Sequence, residues 1–240
     1  MPRPARPARS SRPPTAASGS DLGSRLAEGV GTRRSTHVFR AGQALFYEGA
    51  PAHALFVLRT GRVKVFRTAR GGEVQVLRLL GPGEVLGYRP LFAQEPYGAT
   101  AEALMDSDAC ILPAAEVLAL LRRTPSLALE MLAKLATELR LSEELLMDLA
   151  HRPVRQRVAR VILELVGDGV GAAAAGAPGR IEAHELRRQD LARMAGTTPE
   201  TRSRVLRAFA ASGLLAVTRE RIEVRDAARL ARAASLPHGA

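Results

Sequence analysis

Between positions 36 and 112 the apolar residues come in short runs broken by turn residues. The runs are Val38–Phe39, Ala44–Tyr47, Ala54–Leu58, Val63–Phe66, Val74–Leu79 and Ala109–Leu112, and Gly42, Gly49, Gly61, Gly71, Gly72, Gly81, Gly83 and Gly87 stand between them. Runs of this kind at spacings of about 8–12 residues predict an antiparallel sandwich or barrel of short strands. Val63 and Val65 answer Val74 and Val76 across Ala69–Gly72, which predicts a hairpin.

After Pro113 the period lengthens. Ala114–Arg123 reads as a short helix, and Pro125 opens a longer one. Along it Leu132, Leu135, Leu139, Ser142, Leu146 and Leu149 follow one another in steps of three and four, a heptad seam with a polar gap at Ser142. Glu138, Arg140, Glu143, Glu144 and Asp148 lie largely off that seam, while Leu127, Leu129, Met131, Leu141, Leu145 and Met147 widen the apolar surface. A helix so patterned is expected to pack on its own barrel and also on a second copy, as a parallel homodimer. His151-Arg152-Pro153 breaks it. Val154–Val166 is a further amphipathic helix. Gly167–Gly179 reads as a flexible loop, and Arg180–Ala183 as a short strand.

Residues 188–207 then give two short helices around Gly196, which tolerates the positive φ of a sharp turn. Thr198 is an N-cap type, and Pro199 sits at the first helical position, where a missing N–H costs nothing. The second helix carries Arg202, Arg204 and Arg207, a helix-turn-helix pattern that points to DNA. Gly213 ends it. Leu214–Val217 and Arg221–Val224 flank Thr218-Arg219-Glu220 as a wing, and Asp226 caps a last helix reaching about Ala234. The expected fold class is α+β: an antiparallel β-roll over residues 35–124, a long dimerisation helix over 125–151, and a winged helix-turn-helix over 152–240. Residues 1–34, rich in Pro, Arg, Ser, Ala and Gly without apolar periodicity, are expected to be a disordered basic tail.

Charge sharpens this division. The chain carries a net +11, distributed unevenly: residues 1–34 hold 7 Arg against 2 acids, 35–150 hold 12 basic against 13 acidic groups, and 151–240 hold 16 Arg against 9 acids. The excess falls on the part holding the helix-turn-helix, the footprint of a phosphate-binding domain. Only Lys64 and Lys134 among the 35 basic residues are lysines, a bias that composition alone could impose; it leaves the neutral middle unexplained. A single cysteine, Cys110, excludes a disulfide framework and a four-Cys cluster, as suits a cytoplasmic protein. No apolar run approaches a membrane span of about 20 residues. His37 and His53 are the histidines of the barrel segment and lack metal-ligand spacing, so no metal, cofactor or catalytic residue is expected.

The order of these parts, with AGQALFYEGAPAHALFVLRTGRVKVF, LGPGEVLGYRPLF and RQDLARMAGTTPETRSRVLRAFAASGLL as its most specific stretches, resembles the CRP/FNR (cyclic-AMP receptor protein / fumarate-nitrate regulator) family of bacterial transcription factors over residues 36–234. The resemblance implies a cyclic-nucleotide-binding-domain-like jelly roll, a homodimer, RNA polymerase as partner, and activation as the commoner mode. It places Arg188, Gln189, Thr198, Pro199, Glu200, Thr201, Ser203, Arg204 and Arg207 at DNA, with Glu200 and Arg204 on base edges. It puts an effector pocket at Gly87, Tyr88, Arg89, Tyr97, Gly98 and Ala99, with Ser142 and Glu143 from the long helix. Here the chain departs from its relatives. Tyr88 stands where cyclic-AMP-binding members have a ribose-binding Glu, and Tyr97-Gly98 where they have an Arg-Ser pair for the phosphate. A buried phosphate without a cation is costly, and Glu143 beside it is unfavourable. The effector is therefore expected to be another small molecule, or none. Arg202 stands where the family has Val or Ile; either its stem snorkels or the helix is rotated. The rival class is a ligand-sensing barrel whose basic C-terminal domain binds a protein.

Overall fold

The computed structural model describes residues 19–167, 180–182 and 188–235. The expected flexible loop at 168–179 and residues 1–18 of the expected tail lie outside them. The remainder of that tail is a correction: Gly19–Val30 is a helix, α1, followed by a 3-10 turn at Gly31–Arg33. Leu22, Leu26 and Val30, one helical turn apart each, form its buried stripe. Glycines let it lie close. A Cβ on Gly23 would stand 2.6 Å from the Gly83 carbonyl oxygen, and one on Gly29 2.6 Å from Leu120 Cδ2. Three apolar residues among Gly, Ser and Arg make too sparse a stripe to stand out from a low-complexity composition.

Eight strands follow: β1 Ser35–Phe39, β2 Ala44–Phe46, β3 Ala54–Thr60, β4 Val63–Thr68, β5 Val74–Leu80, β6 Val85–Leu86, β7 Thr100–Ala103 and β8 Ser107–Pro113, with a short helix α2, Tyr88–Ala93, after β6. They form two antiparallel four-stranded sheets, β1-β8-β3-β6 and β2-β7-β4-β5. Strands β4 and β5 are the expected hairpin, with Phe66 opposite Val76 and Thr68 opposite Val74. The pattern did not predict β7, whose Thr, Ala and Glu lack large apolar side chains, or β6 with its two residues. Phe39, Phe56, Leu58, Val63, Leu80, Ala101 and Ala109 from both sheets share one core. The other face of β3, Leu55 and Val57, packs with Leu26 of α1 and with Val117 and Leu120 of α3, Ala114–Arg123. Burial on both faces is why β3 reads as an unbroken apolar run.

Helix α4, Pro125–His151, spans 27 residues, about 40 Å. Leu127 and Met131 anchor its start in the β-roll core. The C-terminal part comprises α5 Val154–Gly167, β9 Arg180–Glu182, α6 Arg188–Met194, α7 Pro199–Ala211, β10 Leu215–Val217, β11 Arg221–Val224 and α8 Ala227–Ser235. Its core joins Val158, Ile162, Leu191, Leu206, Phe209, Ile222 and Leu230, and reaches onto the β-roll through Leu79 and Leu104.

If α1 belongs to the β-roll core, Leu26→Ala, at a fully buried site, should lower the unfolding free energy by about 2–5 kcal/mol, read from the shift of a urea midpoint at constant slope. A shift below about 0.5 kcal/mol would mean that α1 is a dispensable appendage.

Candidate nucleic-acid interface

Helix α7 is set by its ends. Thr198, extended at φ −82° and ψ 156°, accepts a hydrogen bond on its side chain from the Thr201 N–H, and Pro199 opens the first turn. At the far end Gly213, with φ +73°, closes the helix by donating to the Ala210 carbonyl. Arg202, Leu206 and Phe209 are its buried residues. Arg202 therefore occupies the inward stripe without rotating the helix, and its Nη2 donates to Ser203 Oγ at 2.9 Å. The opposite face is open: Thr198, Pro199, Glu200, Arg204 and Arg207 are exposed, and Thr201 and Ser203 half-buried. Arg188 opens α6, followed by the exposed Gln189.

Glu200 and Arg204 are four residues apart, hence one turn apart on that face. Hydrogen bonds from its own backbone N–H and from the Thr198 hydroxyl hold the Glu200 carboxyl below the usual carboxylate range. It is thus ionised and purely an acceptor, as contact with a base amino group requires. Arg204 is exposed, and Arg207 Nε leans back on the Ser203 carbonyl at 3.4 Å. Beside α7 the sheet β10-β11-β9 raises the wing. Thr218 Oγ1 accepts from the N–H groups of Glu220 (3.2 Å) and Arg221 (3.1 Å), and Arg219 is exposed at the tip.

The angle between α6 and α7 depends on a residue that the sequence pattern did not single out. Arg157 of α5 donates to four backbone carbonyls: Ala195 at 2.9 Å, Gly196 at 3.0 Å, and Leu149 and Arg152 at 3.1 Å. Gly196 itself has φ +56°, and a Cβ there would meet Leu149 Cδ2 at 2.5 Å. In an Arg-rich helix nothing marks Arg157 out except that it is only half exposed when folded.

The residues expected at an effector pocket are brought together in part. Tyr97 is buried, stacked on Phe46 at 4.0 Å between ring centroids, with its hydroxyl donating to the Ala54 carbonyl at 2.7 Å. It fills the space under Gly87, where a Cβ would lie 3.1 Å from Tyr97 Cε1. Tyr88 is buried toward α4 among Arg78, Lys134 and Glu138; burial, then the Glu138 carboxylate, pushes its phenol pKa up. Both cations there are already paired: Arg78 with Glu138 and Glu84, and Lys134 with Glu138. Arg89, Gly98, Ser142 and Glu143 are exposed and Ala99 half-buried, so Arg89 does not supply the missing cation. Ser142 instead donates to the Glu138 carbonyl at 2.8 Å.

On α4, Leu132, Leu139 and Leu146 are exposed, whereas Leu135 packs on the β-roll core and Leu149 on Gly196. The open stripe is Leu129, Leu132, Ala136, Leu139, Glu143, Leu146 and Ala150, also spaced by threes and fours. The heptad period is as the sequence reads, but the free stripe lies one flank over, with Glu143 rather than Ser142 as its polar gap.

Fold and site together define a winged-helix DNA-binding protein built on a sensor-type β-roll. A family model for the cyclic nucleotide-binding domain matches residues 36–124, and one for the Crp-like helix-turn-helix domain matches residues 156–233. The chain is 36% identical over 193 residues to the cyclic AMP receptor protein of Thermus thermophilus, covering 80% of this chain and 85% of that one. It is 29% identical to a CRP-like cAMP-activated global transcriptional regulator of Mycobacterium tuberculosis, covering 82% and 86%. The structure of FixK2 from Bradyrhizobium japonicum shares the fold, with a TM-score of 0.75 over 85% of this chain and 99% of that one at 23% identity. The chain belongs to the CRP/FNR family, whose members are transcription regulators and not enzymes. Among the described residues no helix is long and apolar enough to cross a membrane, and no three His, Cys, Asp or Glu side chains gather as a metal would need.

Glu138 ties the β-roll to α4, and its pKa carries a sign. Burial raises it, but the charges of Arg78 and Lys134, both paired with it, outweigh that, leaving it below the ordinary value. Its stabilising contribution is therefore present above the unfolded pKa of about 4.3 and lost as pH falls through the folded one. Unfolding midpoints measured from pH 6 down to pH 3 should fall less steeply in Glu138→Gln than in the parent. Parallel profiles would exclude Glu138 as a contributor.

Proposed function

We propose that this chain is a homodimeric transcription activator that reads a two-fold-symmetric promoter site through Glu200 and Arg204 and requires no cyclic nucleotide. The observation that carries this reading is the open face of α7, where an ionised Glu200 and an Arg204 with no ion pair among the described residues stand one turn apart, opposite the buried Arg202, Leu206 and Phe209. Arg204 to the O6 and N7 of guanine and Glu200 to the N4 of cytosine follow from donor and acceptor geometry. Thr198, Thr201, Ser203, Arg207, Arg188 and Gln189 line the backbone on either side, and Pro199 offers no side-chain donor to a third base.

The open stripe of α4 supports dimerisation. Leu129, Leu132, Leu139 and Leu146 are each 59–66% exposed in one chain, an apolar ridge that a second copy covers by the same heptad logic. Two such chains present two recognition helices to grooves about one helical turn apart, roughly 34 Å. RNA polymerase is the partner this reading implies. A relative in Pseudomonas aeruginosa, 24% identical over 80% of this chain, is named a transcriptional activator, which supports activation.

Relatives whose names include cyclic AMP argue for a nucleotide effector, but the residues here argue against it. Tyr97 fills the pocket, every cation beside Tyr88 is already neutralised by a carboxylate, and Arg89 faces water. A phosphate monoanion entering there would break an existing ion pair.

Selection of duplexes from a random pool should enrich a palindrome. Binding to it should be equally tight with and without cyclic AMP; a rise in affinity on adding the nucleotide, or no enriched palindrome, overturns the reading. At the enriched site Arg204→Ala should lose about 1–3 kcal/mol while leaving binding to random DNA nearly unchanged, and equal loss on both would make Arg204 a phosphate contact.

Leu139→Glu should leave the circular dichroism spectrum intact yet halve the mass in sedimentation, since Leu139 faces solvent in the single chain. A dimer that survives this change is not held by the α4 stripe.

A further inference from the structure

Lysine occurs twice among the 35 basic residues of this chain, and neither copy is exposed. Lys134 serves Glu138. Lys64 has a different setting. It lies on β4, opposite Leu79 of β5 and Glu102 of β7, on the face turned away from its neighbours Val63 and Val65. That outer face is covered by α6 of the DNA-binding domain. The Lys64 ammonium is 3.0 Å from Glu102 Oε1 and 3.6 Å from Asp190 Oδ1. Lys64 is only 3% exposed and Asp190 not at all. Arg193 also reaches Asp190 Oδ1, at 3.3 Å, while the second Asp190 oxygen is buried and has no hydrogen bond among the described residues. Leu79 and Leu104 beside this pair are part of the C-terminal core.

A compact ammonium suits a slot between two carboxylates, one from each domain, whereas a guanidinium fork would need acceptors arranged in its own plane. Such a charge is stable in the interior only while both domains stay together. If Lys64 is lost, Asp190 is left buried with a weakened partner set, and the domain relieves that by moving off the β-roll into water. The reading face of α7 is exposed while α6 is docked, so docking and DNA contact are compatible.

We propose that Lys64, a β-roll residue too deep to touch DNA, is a positioning residue for DNA recognition: through Asp190 it holds the helix-turn-helix at one fixed place on the sensor domain. Fixed placement sets the separation of the two recognition helices, so that the second half-site is met without further ordering. This rests on the dimeric, palindrome-reading function proposed above.

The test uses the full chain and two duplexes, the enriched palindrome and the same duplex with one half-site scrambled. The parent should prefer the palindrome strongly. Lys64→Met should lose about tenfold or more on the palindrome and less than about twofold on the single half-site. Should Lys64→Met unfold, Asp190→Asn removes the same pair with almost no change in size and should behave alike. The double variant Lys64→Met with Asp190→Leu, an apolar pair in place of the ionic one, should restore palindrome affinity to within about threefold. Equal loss on both duplexes, or full retention of palindrome affinity in both single variants, overturns the role of Lys64. If instead the parent shows no preference for the palindrome, the dimeric reading fails, and Lys64 is judged by amide exchange. Faster exchange in α6 with β4 unchanged then upholds the docking contact, and unchanged α6 exchange rejects it.

Discussion

The guanidinium of Arg157 closes the corner where the long helix gives way to the DNA-binding domain, and the geometry of the interface depends on it. A helix leaves its last carbonyls without partners, and two helices end at this corner. Leu149 and Arg152 supply the carbonyls at the end of α4; Ala195 and Gly196 supply those after α6. One planar cation satisfies all four and lies at the negative ends of both helix dipoles. A lysine has the charge but not the fork. The turn is closed from the other side by Leu149, whose Cδ2 a Cβ on Gly196 would meet at 2.5 Å, so that the leucine side chain would have to shift. Gly196 is thus favoured by its φ of +56°, which side-chain-bearing residues rarely adopt.

From that corner the ion pairs run toward the sensor. Arg160 of α5 joins Asp148 and Glu144 of α4, and Arg152 also pairs with Asp148. Further up the same helix Glu138 takes Arg78 of β5. One carboxylate-bearing flank of α4 therefore contacts both domains, while the leucine stripe beside it is left open. This is how a single helix satisfies its own chain and keeps a surface for another. The wide apolar surface seen in the sequence divides accordingly: Leu127, Met131 and Leu135 turn inward, and Leu129, Leu132, Leu139 and Leu146 outward.

Elements with strong local signals were legible from sequence. Helix α3 runs from Ala114 to Arg123 and the wing strands end at Val217 and Val224, as their period and punctuation indicate. The capped start of α7 at Thr198 and Pro199 is equally local. What escaped the pattern depends on distant partners. Helix α1 shows only three apolar residues, and its reason to fold is the Gly83 and Leu120 surface that its glycines approach. Strand β7 is Thr, Ala and Glu because it lies between β2 and β4, where small side chains fill the interior. The period of the α4 seam was readable but not its orientation, because Leu135 and Leu149 are drawn inward by the β-roll core and by Gly196. Arg202 resolves the same way: its place in the stripe with Leu206 and Phe209 is fixed, and the polar head is accommodated by Ser203 next to it.

The rarity of lysine, which as composition alone could mean nothing, acquires a physical meaning once burial is known. At exposed sites this chain uses arginine throughout. At two sites withdrawn from water it does not, and each is a place where a compact charge meets carboxylates: Glu138 under Tyr88, and Glu102 with Asp190 between the domains. On the proposed reading the sensor pocket holds tyrosines where a nucleotide's partners would be, so a ligand no longer organises the β-roll. The contacts that remain between β-roll, long helix and DNA-binding domain are then permanent side-chain contacts of the chain itself. On that same reading, a regulator held in this way is set for DNA by its own interior charges rather than by a nucleotide that it senses.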